Sequence, residues 1–288
     1  MASGILIVDK PEGWTSQDVV SKLRGVFRER RVGHGGTLDP MATGVLPVFF
    51  GRATRAVEFF EHAEKKYTAT LRLGVTTDTQ DITGNVLDTK EVQISNEDFS
   101  RILPNFIGKI QQIPPMYSAI KIGGRKLYEL ARAGKEVERK PREIEIFSLT
   151  AEQFSDEDRT LSVHCSKGTY VRTLCHDIGQ ALGCGGCMAS LRRTAAGAYT
   201  LDESHTMEEI LACDEPQSLL LPVDSLFSHL PRLTLTAAQE KCVRNGANFT
   251  IYSGKDGSCR AYSASGEFLA LCEKKDGVLR TVKSFFEV

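Results

Sequence analysis

The period of apolar and polar positions changes several times along the chain, and each change marks an element. Residues 4–8 are an unbroken apolar run closed by Asp9-Lys10-Pro11-Glu12-Gly13, which predicts a strand entering a turn. Val19, Val20, Leu23, Val26 and Phe27 then recur at helical spacing. Thr15 followed by Asp18 makes a capping box with Asp in place of Glu, so a helix is predicted over residues 16–27. Its polar side carries Lys22, Arg24 and Arg28. Residues 33–44 contain Gly33, Gly35, Gly36 and Gly44 and predict a loop, and residues 45–50 read as a buried strand. At 67–73 the period is two: Tyr67, Ala69, Leu71 and Leu73 share one face, and Thr68, Thr70 and Arg72 the other. A polar loop over 76–84 and a short helix over 99–107 are expected next.

Pro114-Pro115 breaks the pattern, and a helix over 125–133 is stopped by Gly134. Strands are predicted at 144–149 and 161–165. Lys167-Gly168-Thr169 then turns the chain into a helix over 170–182, with Leu174, Ile178 and Ala181 on its apolar side and Gly183 as its stop. Thr206 and Glu209 cap one more helix. From about residue 229 the character changes to short strand-like runs between turn signals, namely Gly254-Lys255-Asp256-Gly257, Ser265-Gly266 and Asp276-Gly277. The last pair lies between 268–272 and 278–282, a hairpin signal. Two domains are therefore expected, residues 1–228 and an all-β unit over 229–288.

Composition narrows the class. The 288 residues are 41% hydrophobic and 25% charged, ordinary for a globular protein that needs no disulfides. No apolar run approaches the length of a membrane span, and the N-terminus lacks the pattern of a signal peptide, so the cytoplasm is the default expectation. The eight cysteines include a single CxxC, Cys184 and Cys187, with no second pair or nearby histidines; reduced thiols are expected and no metal. Net charge is −1, but it is segregated. Residues 121–142 hold eight Lys or Arg against three Glu, and residues 21–32 hold five against one. Residues 202–224 hold seven acids and no Lys or Arg. Such segregation lets a near-neutral chain present a basic face, although each stretch alone also fits a solvated helix.

One segment carries candidate chemistry. Gly33-His34-Gly35-Gly36-Thr37-Leu38-Asp39-Pro40 lacks the Lys-Ser/Thr ending of a P-loop and holds one acid in a glycine-rich stretch. From physics alone, a turn-capping Asp39 and a catalytic Asp39 are equally compatible with it.

The wider pattern tips that balance. The segment continued through Met41-Ala42-Thr43-Gly44-Val45-Leu46 resembles the catalytic loop of the TruB family of tRNA pseudouridine synthases. Gly4-Ile5-Leu6-Ile7-Val8-Asp9-Lys10-Pro11-Glu12-Gly13 is similar to the family's opening motif. Lys66-Tyr67, Thr77-Asp78-Thr79-Gln80-Asp81-Ile82-Thr83-Gly84 and Gln112-Ile113-Pro114-Pro115-Met116-Tyr117-Ser118-Ala119-Ile120-Lys121 follow in order. Cys165-Ser166-Lys167-Gly168-Thr169-Tyr170-Val171-Arg172-Thr173 and Leu191-Arg192-Arg193 complete the set. Gly35 departs from the pattern, since family members often carry Thr there; the loss of a side chain beside His34 is expected to loosen the loop.

The resemblance implies roles. Asp39 would be the nucleophile, Arg172 its ion-pair partner that holds it ionised, and Tyr67 the ring that stacks on the target base near its C5 proton. His34 would pack against nucleotides displaced from the T-loop. Tyr170 and Leu191 would line the uracil pocket, Lys10 and Pro11 would support the loop, and Asp81 would join the network around Arg172. Lys121, Arg125, Lys126, Arg132, Lys135, Arg139, Lys140 and Arg142 would belong to a thumb-like insertion near residues 121–143 that contacts the RNA backbone. The implied fold is α/β of the α+β type: a mixed, largely antiparallel sheet flanked by helices, with the thumb inserted and a small PUA-like β-barrel at the C-terminus. The implied activity is isomerisation of uridine 55 in the tRNA T-stem-loop by a monomer, with no cofactor, membrane or obligate protein partner. Two alternatives stand beside it: an H/ACA-guided synthase of the same family, and a non-catalytic RNA-binding or RNA-folding protein.

Overall fold

The first apolar run forms β1 (Gly4–Lys10), in which every residue except Asp9 is buried. The computed structural model of the chain describes residues 2–153, 155, 157–252 and 255–286. Helix α1 (Ser16–Phe27) starts where the capping box predicts. The Thr15 hydroxyl accepts the Asp18 N–H, and the Asp18 carboxylate accepts the Thr15 N–H. Its buried stripe is Val19, Val20, Leu23 and Phe27.

The predicted glycine loop is partly strand. β2 (Val32–His34) pairs with β3 (Thr43–Phe50), so Gly33 and His34 lie in a ladder and the loop proper begins at Gly35. α2 (Val57–Phe60) precedes β4 (Lys65–Leu73), whose buried positions alternate as its sequence predicts. The polar stretch after β4 is not wholly loop, because β5 (Val75–Thr77) pairs with β6 (Val86–Thr89). Backbone pairing needs no apolar side chains, so this ladder leaves no hydrophobic trace. α3 (Asn96–Ile102) begins three residues before the expected helix because Ser95 caps it, and the following turn around Pro104 is 3-10.

β7 (Gly108–Gln112) leads to a small hairpin of β8 (Lys121–Ile122) and β9 (Arg125–Lys126). Gly123 and Gly124 both have positive φ there, the geometry of a tight two-residue turn. The hairpin withdraws Arg125 and Lys126 from the predicted helix, leaving α4 (Leu127–Arg132). β10 (Arg142–Gln153), β11 (Asp158–Cys165) and α5 (Val171–Ala181) follow. Ala181 is exposed, and Val171, Leu174, Cys175 and Ile178 carry the buried face of α5 instead. Then come β12 (Gly186–Ala196), β13 (Tyr199–Thr200), β14 (His205–Thr206) and α6 (Met207–Ala212), the last capped by Thr206 and Glu209. The C-terminal unit holds β15 (Arg232–Thr234), α7 (Ala237–Arg244), β16 (Phe249–Thr250), β17 (Gly257–Tyr262), β18 (Phe268–Lys275) and β19 (Val278–Ser284).

Ten strands form one sheet in the order β14-β1-β3-β12-β4-β11-β10-β7, with β2 on β3 and β13 on β12. β1–β14 and β3–β12 run parallel and the remaining pairs antiparallel, so the sheet is mixed and largely antiparallel. α1 and α5 cover one face, enclosing Leu6, Val8, Leu46, Leu71, Leu161 and Leu191. On the other face Ile5, Ile7, Val45, Phe49 and Phe60 share a cluster with Phe227, Leu271 and Phe285, which seats the C-terminal sheet against the first. That second sheet has the order β15-β17-β18-β19-β16. Its β18–β19 turn has left-handed backbone at both Asp276 (φ 51°) and Gly277 (φ 73°), as the Asp-Gly pair predicts. Gly254 of the first turn signal falls outside the described residues. Among the described residues no helix is long and apolar enough to cross a membrane.

Candidate active site

The site lies where β3, β12 and β4 meet. β12 runs parallel to the start of β3, with Arg192 opposite Thr43 and Arg193 opposite Gly44, and antiparallel to β4, with Arg193 opposite Tyr67 and Leu191 opposite Ala69. The chain between β2 and β3 must pass over this junction, and Asp39 stands in it. Gly44 (φ 102°) makes the close crossing possible, because a Cβ there would lie 2.2 Å from the Arg193 carbonyl oxygen. Gly35 has its own steric reason: a Cβ would meet the Phe60 ring at 2.5 Å. The space left by the missing side chain beside His34 is thus filled by Phe60, which is not the loosening expected from the departure.

Arg172, second residue of α5, reaches Asp39 with both sides of its fork. Nε lies 2.9 Å from Oδ2 and Nη2 donates to Oδ1 at 3.3 Å. The rest of the guanidinium is occupied: Nη1 donates to the Thr79 carbonyl (3.1 Å) and faces Asp81 Oδ2 (3.5 Å), and Nη2 donates to the Tyr117 carbonyl (2.8 Å). The Arg172 side chain is 7% exposed and that of Asp39 34% exposed, so the arginine is fixed in the wall while the carboxylate faces an opening. Burial pushes the Asp39 carboxyl above its ordinary value; Arg172 pulls it down, nearby Asp81 pushes it up again, and Lys10 opposes. The net direction is upward, so desolvation outweighs the lowering expected from the ion pair alone.

Asp81 is held rigidly. Its Oδ1 accepts from the Thr79 hydroxyl (2.9 Å), the Thr83 N–H (3.0 Å) and the Thr83 hydroxyl (2.6 Å). Gln80 before it sits in the left-handed region (φ 65°), unusual for a residue with a Cβ, and its side-chain oxygen accepts from the Thr173 hydroxyl. Lys10 is fully buried, and its ammonium donates to the carbonyls of Pro11 (2.8 Å), Trp14 (2.6 Å) and Pro40 (3.2 Å). The lysine thereby ties the opening turn to the residue after Asp39, and burial lowers its pKa to about 8. Pro11 contributes that carbonyl.

Tyr67 sits on β4 opposite Arg193, and burial raises its pKa against the pull of that cation. His34 lies half-buried with Nδ1 lacking a hydrogen-bond partner, and burial together with Arg193 lowers its pKa. Tyr170 is the N-cap residue of α5; Gln112 grips its backbone from both sides, accepting from its N–H (2.8 Å) and donating to its carbonyl (3.1 Å). Burial raises the pKa of the Tyr170 hydroxyl, against the pull of nearby Ser118, Arg142 and Arg172. Leu191 is buried in the main core beneath the junction. Arg192, on the outer face, pairs with Asp9 at 2.6 Å.

The basic excursion bears mostly exposed cations, and its Arg142 lies near enough to the site to lower the Tyr170 pKa. Lys121, Arg125, Arg132, Lys135, Lys140 and Arg142 are exposed. Lys126 and Arg132 lie over the Tyr128 ring, and Arg139 donates to the Pro114 carbonyl (3.2 Å) while pairing with Glu136. Pro114, Ile120, Lys121, Leu127, Arg139 and Arg142 line a cleft of about 370 Å³ there. Cys184 and Cys187 are buried free thiols, and burial pushes Cys187 up to about 11, away from the thiolate that redox or metal chemistry uses.

Sequence reading singled out neither Gln112 nor Arg193 as a site residue. Gln112 carries no local signal. Arg193 carries one: period two places it on the same inward face as Leu191, where a charge is unusual.

The model described as TruB family pseudouridylate synthase (N terminal domain) matches residues 24–171, and that described as tRNA pseudouridylate synthase B C-terminal domain matches residues 172–228. The tRNA pseudouridine synthase B of Dechloromonas aromatica (strain RCB) is 46% identical over 278 residues, 96% of this chain and 93% of that protein. The protein of the same name from Alkaliphilus oremlandii (strain OhILAs) is 47% identical over 251 residues, 87% of this chain and 83% of that protein. Among solved structures, a Cbf5-Nop10-Gar1 complex aligns with a TM-score of 0.73 at 25% identity, covering 99% of this chain and 85% of that one.

Proposed function

The chain belongs to the TruB family of pseudouridylate synthases, and on that premise we propose that it converts uridine 55 of the tRNA T-loop to pseudouridine, with Asp39 as covalent nucleophile. The observation that carries this reading is one partly open carboxylate gripped from both sides by a buried arginine. The grip aims the carboxylate, and the opening leaves it free to meet a nucleoside.

A uridine inside a folded T-loop must first be extruded, which costs roughly a few kcal/mol of unstacking. Stacking on Tyr67 returns about 1–3 kcal/mol. Tyr170 and Leu191 bound the uracil, and His34 takes up space the nucleotide has left. Asp39 forms a transient bond to the nucleoside, the N1–C1′ bond breaks, the base turns, C5–C1′ forms, and the bond to Asp39 is released as N1 takes up a proton. Loss of the C5 proton completes the isomer, so no cofactor enters the balance. A base placed at that proton contributes about 10²–10⁴-fold, and Tyr67 is the polar group on that side. Asp81 orients Arg172, and Lys10 with Pro11 anchors the loop.

Residues 1–228 carry the chemistry, residues 229–288 form a PUA-like unit that holds more of the tRNA, and the thumb at about 121–143 closes on the stem-loop. Its Lys121, Arg125, Lys126, Arg132, Lys135, Arg139, Lys140 and Arg142 contact phosphates. The chain acts as a monomer in the cytoplasm, where tRNA is modified. Identity of 41–47% to proteins named tRNA pseudouridine synthase B, against 25% for the Cbf5 structure, supports the stand-alone reading over the guided one.

The test is incubation of the purified chain with an unmodified T-stem-loop transcript and no guide RNA. Pseudouridine should form, and Asp39→Asn should form none while binding the transcript within several-fold. Turnover that requires a guide RNA selects the guided branch. Tight binding without product selects a binding or folding protein, and near-normal turnover by Asp39→Asn removes the nucleophile.

A further inference from the structure

Arg193 is the largest fully buried side chain among the described residues, at 1% exposure. A guanidinium out of water calls for a carboxylate, yet among the described residues none lies within ion-pair distance of it. Its acceptors are main-chain carbonyls: Nε donates to Val45 (2.7 Å) and Nη2 to Gly36 (3.2 Å). Those two residues bracket the loop that carries Asp39, Gly36 three positions before it and Val45 six after. Arg193 also faces Tyr67 directly across the β12–β4 ladder. Its backbone presses on Gly44 so closely that no Cβ fits between.

We propose that Arg193 is a positioning residue for the reaction: one guanidinium fastens both ends of the nucleophile loop, and so sets Asp39 opposite Arg172. The inference rests on the reading of Asp39 given above and extends it. A planar fork suits this task, because its donors point in fixed directions and can reach two carbonyls on different segments at once. A lysine ammonium offers one compact charge at the end of a flexible stem and cannot span both. A fold that needed only to fill this space would place an apolar side chain there and avoid burying a charge. The geometry around the residue gives the charge a purpose. Loss of the fastening lets the loop ends drift apart, and a drift of about 1 Å at reacting atoms costs about 10²-fold in rate. Arg193 is too deeply buried to touch RNA, so binding is not its route.

The experiment compares Arg193→Lys and Arg193→Gln with the unsubstituted chain. Folded fraction is measured by near-UV circular dichroism, T-stem-loop affinity by filter binding, and the single-turnover rate is expressed per folded molecule at saturating RNA. Affinity should stay within about threefold and the rate should fall about 100-fold or more in both. A space-filling role would instead lower the melting temperature and leave the rate per folded molecule unchanged, which overturns the proposal. Failure of both variants to fold overturns it too, since Arg193 would then be a determinant of the fold. Asp39→Asn is run alongside. If that variant turns over, the reading of Asp39 has failed; if it is dead while both Arg193 variants run at full rate, only the present inference has failed.

Discussion

The nucleophile loop and the thumb are both glycine-punctuated excursions from the same sheet, and both work with charge, but they use it in opposite ways. Around the loop the charges are buried and each has named partners: Arg172 with Asp39, Asp81 and two carbonyls, Lys10 with three carbonyls, Arg193 with two. On the thumb six of the eight cations are exposed. Buried, fully bonded charges fix geometry, and moving one leaves another stranded in a medium that cannot solvate it. Exposed charges are weak singly, add roughly independently and are screened by salt. The first region should therefore govern rate and the second affinity.

The sharpest way to break that division is Arg172→Lys. The charge survives, but the two-sided grip on Asp39 and the bonds to Thr79 and Tyr117 cannot all be kept by one ammonium. A fall of about 10²-fold or more in single-turnover rate is expected, with RNA affinity within several-fold because Arg172 is walled off from solvent. A large loss of affinity at an unchanged rate would show that the buried cluster binds rather than reacts.

The two regions also differ in how far they can be read from sequence. Asp39, Asp81 and Arg172, far apart in the chain, come together, and α1, β4 and the Asp276-Gly277 hairpin follow from period, cap and turn chemistry. Those signals are local, so a single sequence carries them. The direction of the Asp39 shift is not legible, because it depends on how deeply the fold buries the loop and how near Asp81 comes, neither of which is a sequence-local quantity. Gln112 gripping Tyr170 and Phe60 filling the space beside Gly35 are likewise long-range interactions. In the basic excursion the expected helix forms, but without its first two residues. Gly123-Gly124 makes a hairpin out of residues that helical propensity claims, and turn chemistry outweighs it.

A smaller effect should come from neutralising the thumb. Arg132, Lys135 and Lys140 are exposed, and Gln at all three should weaken T-stem-loop binding and flatten its salt dependence. The slope of log K against log salt should drop by roughly 0.7–0.9 for each phosphate no longer neutralised, hence by about 2–3 if all three side chains touch phosphates. The single-turnover rate at saturating RNA should not change. An unchanged slope would take the thumb out of the interface, and a changed rate would merge the two regions into one.

The smallest effect, and the most direct reading of the loop's interior, is a displacement along the pH axis. Asp39 reacts as a carboxylate, and its folded pKa is raised by burial. On the proposed mechanism the active form is therefore lost as pH falls through a value above the ordinary one for an aspartate, and the acid limb of kcat/KM should be displaced upward. Stability runs the other way. A folded chain that binds this proton more tightly than the unfolded chain does is favoured by the group at low pH, and that contribution is lost as pH rises through the folded pKa. Measured on the T-stem-loop at constant ionic strength, the limb should be the same in the chain and in its thumb-neutral variant, because none of these exposed cations is among the groups that shift Asp39 and salt screens them. A limb at ordinary carboxylate values would mean that Arg172 and Lys10 fully offset the burial. A limb that moved with the thumb charges would mean that the thumb folds over the loop closely enough to share its field, and the separation of rate from affinity would not survive.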